Sequence, residues 1–531
     1  MGQLTEKPNI MKLKFLLTAS LVSFGIAQAQ EQVKGVIYND INKNGKKDKT
    51  EIGLPYVSVS NGVDVVQTNS KGEYLLPVGN DNIIFVVKPS GYNFPLNSKN
   101  LPAYYYIHKP QGSPTLKYAA SLPTGKLPSS LDFPLYEQNE SNQFKALIFG
   151  DPQAYTLEEI EFFKKGIIND INKDADVAFG ISLGDLVGDN LTLHEPYQNV
   201  IKEIGKPWYN VMGNHDMNYD VVTDSLSDES FENNFGPNNY SFNYGNAHFI
   251  VLDNILYPNP RTGKGYLGGF RKDQLDFVEN DLKFVPKDKL IVLAFHIPLW
   301  HNNSDVFRDE DRQRLFDILE PFENTVSMSA HTHYQTQAFY DKKDGWKQEK
   351  PHHEYNVGTT SGDWYSGAFN RQGVPSSTMR DGTPRGYAFL KVDGNKYSFD
   401  YKVAGEDKDY QIKIAAPKVV QEKYSGRYRL YANFFLGRPS DTVEYRIDNG
   451  SWKKMKNVDI PDPSYLYEVL KYDNASELVI GKRPSTAVKS THLWEAQLPG
   501  KLSEGAHVIE VRATDMYGRT HTSKTSIESI K

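Results

Sequence analysis

The sequence predicts an α/β domain between two β-rich regions. Residues before about 138 form short apolar segments separated by Gly, Asn and Pro, which is typical of strands. From about 143 to 350, apolar strands alternate with helical patterns, and after about 411 the pattern is all-β again. The 531 residues are 39% hydrophobic and 24% charged, a composition of soluble globular domains and a length that suits about three of them.

Residues 1–29 are expected to be a secretory signal peptide with a mis-called start before Met11. Lys12 and Lys14 are a positive n-region, residues 15–26 are a short apolar run, and Ala27-Gln28-Ala29 is a cleavage site. The run is shorter than the roughly 20 residues of a bilayer-spanning helix. We therefore predict a periplasmic or secreted protein without a transmembrane segment, the alternative being a buried N-terminal helix.

Residues 30–138 are predicted to form a β-sandwich, with strands at Val33–Tyr38, Val57–Ser60, Glu73–Pro77 and Asn82–Pro89. The sandwich carries a Gly turn flanked by oxygen-bearing side chains at Asp40, Asn42, Asn44, Asp48 and Glu51. This spacing is that of a calcium loop, although no helix precedes it as in an EF-hand. The alternative is an Asn-Gly turn on a solvated hairpin.

Residues 143–350 are predicted to form the α/β domain. Strands are expected at Lys145–Phe149, Val177–Leu183, Ala247–Leu252, Leu290–Phe295 and Thr325–Met328. A capping box at Thr156 and Glu159 opens a helix expected to end near Asn172, and further helices are predicted over Lys272–Lys283 and Arg308–Leu319.

Residues 351–531 are predicted to form a C-terminal β-rich domain. Residues 351–405 either belong to it or complete the α/β core. The segment 515–519 indicates a turn between the last strands of an immunoglobulin-like module.

Five polar segments follow the apolar strands of the α/β domain. In chain order they are Asp151-Pro152-Gln153, Gly184-Asp185, Gly213-Asn214-His215-Asp216, His296 and His331-Thr332-His333. Ligands bind outside the carboxyl ends of strands in such sheets. Imidazole suits zinc, iron and manganese, and a carboxylate such as Asp185 can bridge two ions that clamp a phosphoryl displacement. Any one of these residues alone is more often structural, but together they predict a dinuclear metal centre.

These motifs, in this order, resemble the calcineurin-like metallophosphoesterase family. The chain from residue 30 also resembles exported bacterial members with an N-terminal β-domain and a C-terminal domain. The resemblance implies a four-layer α/β/β/α sandwich and a hydrolase acting on phosphoric ester bonds. Its cofactors would be two divalent ions, manganese, zinc or iron.

The resemblance also implies roles for individual residues. One ion would take Asp151, Asp185 and His333, and the other Asp185, Asn214, His296 and His331. A metal-bridging hydroxide would be the nucleophile. His215 would be the general acid on the leaving oxygen, oriented by Asp216.

The chain departs from the family pattern at Gln153, where a His is usual. A Gln oxygen is a weaker, uncharged ligand, so Gln153 either binds the first ion loosely or lies outside its ligand shell. Asp189 either supports the centre by hydrogen bonding or is a solvated loop acid. A substrate rim is expected at Trp300, His301, Asp363, Trp364 and Arg380, with turn and packing roles as the alternative.

The predicted function is an exported metal-dependent phosphoesterase acting on a phosphate ester, with a diester favoured by the resemblance. The alternatives are a catalytically weakened envelope glycan-binding protein, for which Gln153 is the support, and a protein phosphatase. The net charge of −6 offers no broad basic field, so binding to a nucleic-acid scaffold is not expected. The absence of cysteine excludes disulfides, thiolate metal ligands and an acylated-cysteine anchor. The sequence names no protein partner.

Overall fold

A computed structural model describes Gly2 and residues 31–171, 176–300 and 306–531. The predicted signal peptide and His301 lie outside the described residues. Within the described ranges, no helix is both long and apolar enough to cross a bilayer.

The N-terminal region is a β-sandwich of two four-stranded sheets, ordered β4-β1-β8-β6 and β3-β2-β5-β7. Residues Glu73–Val78 alternate exposed and buried side chains, as expected for a strand with one face in a core. The strands are Glu31–Asn39 (β1), Ser58–Ser60 (β2), Val65–Gln67 (β3), Glu73–Val78 (β4), Asn82–Val86 (β5), Tyr92–Asn93 (β6), Tyr105–His108 (β7) and Phe133–Glu137 (β8).

Two larger sheets form the middle of the molecule, ordered β11-β10-β9-β20-β21 and β12-β13-β16-β17-β19-β18. The strands β19, β20 and β21 come from residues 351–405, so this segment contributes to both sheets. The strands are Gln143–Phe149 (β9), Phe179–Ser182 (β10), Trp208–Asn210 (β11), Tyr240–Tyr244 (β12), Ala247–Val251 (β13), Ile255–Leu256 (β14), Leu267–Gly268 (β15), Leu290–Ala294 (β16), Asn324–Ser329 (β17), Thr336–Tyr340 (β18), His352–Asn356 (β19), Gly386–Asp393 (β20) and Lys396–Val403 (β21).

The two central sheets pack face to face, because Phe179 of β10 meets Phe249 of β13 with ring centroids 5.3 Å apart. Helices cover both outer faces, which makes the four-layer α/β/β/α sandwich. The helices are Leu157–Gly166 (α1), His194–Ile201 (α2), Glu229–Phe235 (α3), Lys272–Leu282 (α4) and Asp309–Leu319 (α5). On the first sheet, Phe163 of α1 packs edge-on against Phe149. On the second, Phe316 of α5 packs against Tyr340.

Helix α1 ends at Gly166, earlier than the predicted end near Asn172. A Cβ at Gly166 would lie 2.4 Å from the Arg385 guanidinium, so the chain passes too close to this side chain for a larger residue. A short 3₁₀ turn at Ile168–Asp170 follows instead. The backbone leaves the α-helical conformation at Ile167, where φ is −121° and ψ is −58°.

The C-terminal region packs two sheets, ordered β22-β24-β30-β27 and β23-β32-β31-β25-β26, around its own core, which contains the buried Trp494. The predicted end-strand turn joins the last two strands, where Asp515 accepts the backbone N–H groups of Tyr517 and Arg519. The elements are Ile412–Ala415 (β22), Val419–Gln421 (β23), Arg429–Phe434 (β24), Thr442–Ile447 (β25), Lys453–Lys454 (β26), Lys456–Asn457 (β27), Ile460–Pro461 (β28), Pro463–Asp473 (α6), Lys489–Ser490 (β29), Leu493–Gln497 (β30), Gly505–Thr514 (β31) and Thr520–Ile530 (β32).

The N-terminal sandwich shares one continuous hydrophobic core with the α/β sandwich. Phe85 of β5 meets Phe277 of α4 edge-on at 5.6 Å. The fully buried Lys88 forms an ion pair with Glu140 at the same boundary. Apolar burial and a paired charge thus fix the N-terminal sandwich on the central sheets.

Candidate metal centre

The predicted metal ligands all follow the carboxyl ends of strands in the two central sheets. β9, β10 and β11 are parallel, and so are β13, β16 and β17. Asp151, Asp185 and Asn214 therefore reach one end of the first sheet, and His296 and His331 reach the same end of the second. The two sets of loops converge there, as the parallel topology requires.

The loops at this end have strained backbones. Asp151, Gln153, Asp185, His331 and His333 all have positive φ, between 30° and 71°. Such angles are uncommon for residues with a side chain and are characteristic of functional sites. Two glycines allow the loops to approach: a Cβ on Gly213 would lie 2.0 Å from the Asp185 nitrogen, and one on Gly184 would lie 2.7 Å from the His296 ring.

His296 lies at the centre of a cluster of atoms that could bind a metal ion. Its Nδ1 lies 2.8 Å from the carbonyl oxygen of Leu183 and donates a hydrogen bond to it, which directs Nε2 into the cluster. That Nε2 lies 3.1 Å from Asn214 Oδ1, 3.3 Å from Asp185 Oδ2 and 3.1 Å from His331 Nδ1. Asp185, His296 and His331 offer three ligand atoms within 4.8 Å of one another.

A second cluster lies around Asp151. His333 Nδ1 lies 2.6 Å from the carbonyl oxygen of Gly362, so its Nε2 directs a lone pair at Asp151 Oδ2, 3.2 Å away. Asp151 Oδ2 and Gln153 Oε1 are both buried and accept no hydrogen bond from the described residues. Buried acceptors are rarely left without a donor, so both atoms fit an arrangement completed by a cation.

The electrostatics of the two clusters differ. Burial raises the pKa of Asp151 to about 7, and His296 only partly offsets it. Burial lowers the pKa of His333 to about 4, which keeps this imidazole neutral, as a metal ligand must be. Burial also opposes the charged form of His296, but Asp185 outweighs it and raises the His296 pKa to about 9. A positive charge at His296 Nε2 is therefore favoured, whether a proton or a metal ion supplies it.

The residues present fit divalent metal ions. Asn, His and Asp supply neutral and anionic ligands of the kind that zinc, iron and manganese accept. The backbone carbonyls of Leu183 and Gly362 fix the ring orientation of His296 and His333, as outer partners of metal-bound His usually do. Which ion each residue binds stays a prediction.

His215 lies beside these clusters, with its side chain 25% exposed. The expectation that Asp216 orients the His215 ring is wrong. The partner of His215 Nδ1 is Asp189, whose Oδ1 lies 2.7 Å away. Burial disfavours the charged ring, but Asp185 and Asp189 outweigh it and raise the pKa of His215 to about 9. A protonated imidazole with one nitrogen held by Asp189 can donate a proton from the other nitrogen.

Asp216 binds backbone N–H groups of the neighbouring loops and not the His215 ring. Its fully buried carboxylate accepts the backbone N–H groups of Leu186, Val187 and Gly213 at 2.9–3.2 Å. It also lies 3.2 Å from Nε2 of the buried His194. These bonds tie the loop of Asp185 to the loop of Asn214, which explains why Asp216 faces away from His215.

Three family models match the chain. The N terminal of calcineurin-like phosphoesterase matches residues 41–119, calcineurin-like phosphoesterase matches residues 144–335, and the C terminal of calcineurin-like phosphoesterase matches residues 354–521. The chain belongs to the calcineurin-like phosphoesterase family. It is accordingly a metal-dependent hydrolase that acts on phosphoric esters.

Other comparisons add little to the family assignment. A comparison with curated proteins found no match. Among solved structures, the chain is similar to purple acid phosphatase PPD1 from yellow lupin (Lupinus luteus) seeds, with 13% identity, a TM-score of 0.35, and coverage of 66% of this chain and 67% of that one. It is also similar to GAP50, the anchor in the inner membrane complex of Plasmodium, with 17% identity, a TM-score of 0.31, and coverage of 50% and 85%. Neither similarity is strong enough to carry an argument.

Of the predicted substrate-rim residues of this phosphoesterase, some lie at the metal centre and others contact different parts of the protein. Trp364 stacks on His333 with ring centroids 3.9 Å apart, so it lies at the centre. Asp363 is buried and accepts the Ser485 backbone N–H, which joins it to the C-terminal region. Arg380 donates to the Thr486 carbonyl oxygen. Trp300 lines a separate cavity of about 230 Å³ beside Phe339.

Sequence reasoning missed several tyrosines of the phosphoesterase centre. Tyr155 packs edge-on against the His215 ring, with centroids 5.9 Å apart. Tyr219 donates to the Asn214 carbonyl oxygen, and Tyr266 packs edge-on against His331. Tyr118, from the N-terminal region, donates to the Asp189 carbonyl oxygen. Only Tyr155 and Tyr219 lie within five residues of a motif, which was the one sequence signal available for any of them.

The oxygen-bearing loop of the N-terminal region has the compactness of an ion-binding loop. Asp40 and Glu51 are buried. Asp40 accepts the backbone N–H groups of Asn44 and Gly45, and Glu51 accepts those of Ile41 and Asp48. The Asn42 and Asn44 amides donate to Asp48 Oδ2 at 2.7 and 3.1 Å. All five predicted side chains thus meet in one loop.

Proposed function

We propose that this calcineurin-like phosphoesterase is an exported phosphodiesterase that uses two divalent ions, manganese, zinc or iron. The observation that carries the proposal is the convergence of buried ligand atoms at His296 and of acceptors without a donor at Asp151, beside an imidazole placed to donate a proton. A centre that needs cations and has a general acid fits hydrolysis of a phosphoric ester.

The ligand sets follow the two clusters. Asp151, Asp185, His333 and the neutral oxygen of Gln153 would hold one ion. Asp185, Asn214, His296 and His331 would hold the other. Bound ions would lower the pKa of a water molecule and offset the negative charge of the ester.

The protein's own groups orient this chemistry. The Leu183 and Gly362 carbonyl oxygens accept the Nδ1–H groups of His296 and His333, which directs Nε2 of each ring toward the centre. The backbone N–H of His215 donates to Asp185 Oδ1 at 2.8 Å, so the loop of the general acid is tied directly to the carboxylate proposed to bridge the ions. His215 can then protonate the leaving oxygen while Asp189 stabilises the imidazolium.

The environment of Gln153 favours an active metal centre over a glycan-binding protein whose metal centre has lost its activity. Its Oε1 is buried and without a donor, while its Nε2 contacts the Tyr155 hydroxyl at 3.3 Å. The oxygen is therefore available to a cation, and the amide is held in place. Export is supported by the signal-peptide pattern of residues 11–29.

Calcium in the loop 40–51 is the second metal proposal. It is supported by three carboxylates and two amides at calcium-loop spacing, two of the carboxylates being buried. This site would stabilise the N-terminal sandwich and take no part in hydrolysis.

Hydrolysis of paired aryl phosphate mono- and diesters by the mature protein tests the proposal. The protein should be stripped of metal and then resupplied with manganese, zinc or iron. We expect turnover to return with metal and to be higher for the diester. Folded, metal-loaded protein that hydrolyses neither ester would contradict the phosphoesterase assignment, and a preference for the monoester would contradict only the diesterase part.

A further inference from the structure

One flank of the centre is built from tyrosines, and it is the flank of the general acid. The Tyr155 ring lies over Gly188, where a Cβ would come within 2.6 Å of three ring atoms. It packs edge-on against His215 and is 36% exposed. Tyr219 is 39% exposed and is held by its bond to the Asn214 carbonyl oxygen. Since His215 protonates the leaving oxygen, these rings border the leaving-group side.

A loop of the N-terminal region completes this flank. Residues 113–121, which we call the rim loop, are closed at their base by hydrogen bonds between Ser113 and Ser121 at 2.8 and 3.0 Å. The loop also reaches the catalytic sandwich at two points. The Tyr118 hydroxyl donates to the Asp189 carbonyl oxygen at 2.9 Å, and the Lys117 backbone N–H donates to Asp220 at 2.8 Å.

The rim loop brings a cation to the flank. The Lys117 ammonium lies 4.8 Å from the centroid of the Tyr118 ring, and the side chain is exposed. The neighbouring Tyr118 hydroxyl, and after it the carboxylates of Asp220 and Asp189, raise the Lys117 pKa. A charged ammonium therefore stands next to the ring that borders the Asp189–His215 pair.

We propose that Tyr118, Lys117, Tyr155 and Tyr219 form the subsite for the leaving alcohol, and that this alcohol is a nucleotide. The inference rests on the proposed phosphodiesterase function and names its substrate class. Hydrolysis breaks the bond between phosphorus and the leaving oxygen and forms one to the oxygen of water. His215 gives its proton to the leaving oxygen and is reprotonated by the proton that water loses.

A nucleotide leaving group matches the two kinds of contact on this flank. Partly exposed tyrosine rings held by their hydroxyls can stack on a flat base. A single ammonium beside them can pair with one further phosphate. The overall charge of −6 offers no track for a long polynucleotide, so a small nucleotide ester fits better than a nucleic-acid strand.

Two substrates that differ only in the leaving alcohol test this subsite. A dinucleoside monophosphate releases a nucleoside, and the methyl ester of the same 3′-nucleotide releases methanol. We expect metal-loaded protein to have a kcat/KM at least about tenfold higher for the dinucleoside monophosphate, because base stacking on aromatic rings is worth about that factor. A 3′-phosphate on the leaving nucleoside should raise kcat/KM further.

Variants separate the ring, the hydroxyl and the charge. Tyr118→Ala should reduce the preference for the nucleoside leaving group several-fold, while Tyr118→Phe, which keeps the ring, should retain it. Lys117→Met should abolish only the gain from the added 3′-phosphate. The matched controls are Tyr56→Ala and Lys126→Met, which change exposed residues elsewhere in the N-terminal region and should preserve the wild-type ratios.

The outcomes distinguish the two proposals. If aryl diesters are hydrolysed but the dinucleoside ester has no advantage, or if Tyr118→Ala leaves that advantage intact, the nucleotide subsite is wrong and the phosphodiesterase stands. If a glycan or lipid phosphodiester is preferred over the dinucleoside ester, the subsite takes another alcohol and the inference is also overturned. If no ester is hydrolysed with any metal, the proposed function itself fails.

Discussion

Two oxygen-rich regions of this molecule differ in what their acceptors contact. At the catalytic centre, His333 Nε2 faces Asp151 Oδ2, and His296 Nε2 faces the oxygens of Asn214 and Asp185. In the loop 40–51, each carboxylate accepts hydrogen bonds from loop donors. In the first region, Asp151 Oδ2 and Gln153 Oε1 have no donor among the described residues, whereas donors satisfy the carboxylates of the second.

The difference shows which region requires a cation. Facing acceptors at hydrogen-bond distance repel one another unless a positive charge lies between them. The loop 40–51 is already satisfied, and a calcium ion would have to turn the Asn42 and Asn44 amides and displace their bonds to Asp48. We therefore expect the catalytic centre to bind metal far more tightly than the loop.

The largest effect is expected from the shared carboxylate. Asp185→Asn removes the charge that both predicted ligand sets use, so metal and activity should be lost together. The loss of kcat should exceed the roughly 10–100-fold typical of outer partners of a metal ligand. Metal content by elemental analysis and turnover of an aryl diester measure the two quantities. Asp288→Asn, a surface acid between α4 and β16, is the matched control, and an Asp185→Asn protein with normal metal content would refute the bridging role.

The general acid should give the next largest effect. His215→Ala should keep metal and slow turnover by about 10²–10⁴-fold, because proton donation to the leaving oxygen contributes that range. The loss should be greatest for poor leaving groups, which depend most on protonation. Asp189→Asn should show the same pattern with a smaller loss. Equal losses for good and poor leaving groups would show that His215 does not act as the acid.

The bonds that Asp216 makes to both loops predict a loss of metal affinity from a residue that belongs to none of the motifs. His194→Leu removes a donor to Asp216 and should weaken metal binding about 10–100-fold, as changes behind a ligand usually do. His194→Gln, which retains a donor, should restore part of it. His248→Leu is the control, since this buried His also pairs with a carboxylate, Asp281 at 2.8 Å, but in the second sheet. If both Leu variants lose thermal stability but neither loses metal affinity, the role of His194 is only structural.

The strands that precede the motifs could be predicted from sequence because a strand depends on local periodicity. The helices predicted over Lys272–Lys283 and Arg308–Leu319 are α4 and α5 within one residue at each end. The partner of His215 could not be predicted from the sequence. Backbone N–H groups of the Asp185 loop bind the Asp216 carboxylate, which leaves Asp189 to His215, and only the folded structure shows this contact. Tyr118 could not be predicted either, since it meets Asp189 from 71 residues away in the chain.

Gln153 offers a way to strengthen the weaker cluster. Gln153→His replaces a neutral oxygen with an imidazole and should tighten the first ion, measured by competition with a chelator, with a smaller change in kcat. Gln143→His, at the exposed start of β9, is the control. Unchanged metal affinity would place Gln153 outside the ligand shell.

The smallest effect on hydrolysis is expected from changes in the loop 40–51. This loop gives the strictest test of the proposed difference in metal affinity between the two regions. Calcium at 100 times its Kd would stabilise the folded chain by about 2.7 kcal/mol and raise the melting temperature. Glu51→Gln should remove this shift because it loses a charged ligand, while Glu73→Gln, at the exposed first residue of β4, should retain it. Neither change should alter diester turnover, since the loop belongs to the N-terminal sandwich and no predicted metal ligand of the catalytic centre lies in it.

A calcium shift that survives in Glu51→Gln would place the ion elsewhere. Calcium bound as tightly as the catalytic ions would show that satisfied acceptors are no obstacle, and the distinction between the two regions would fail.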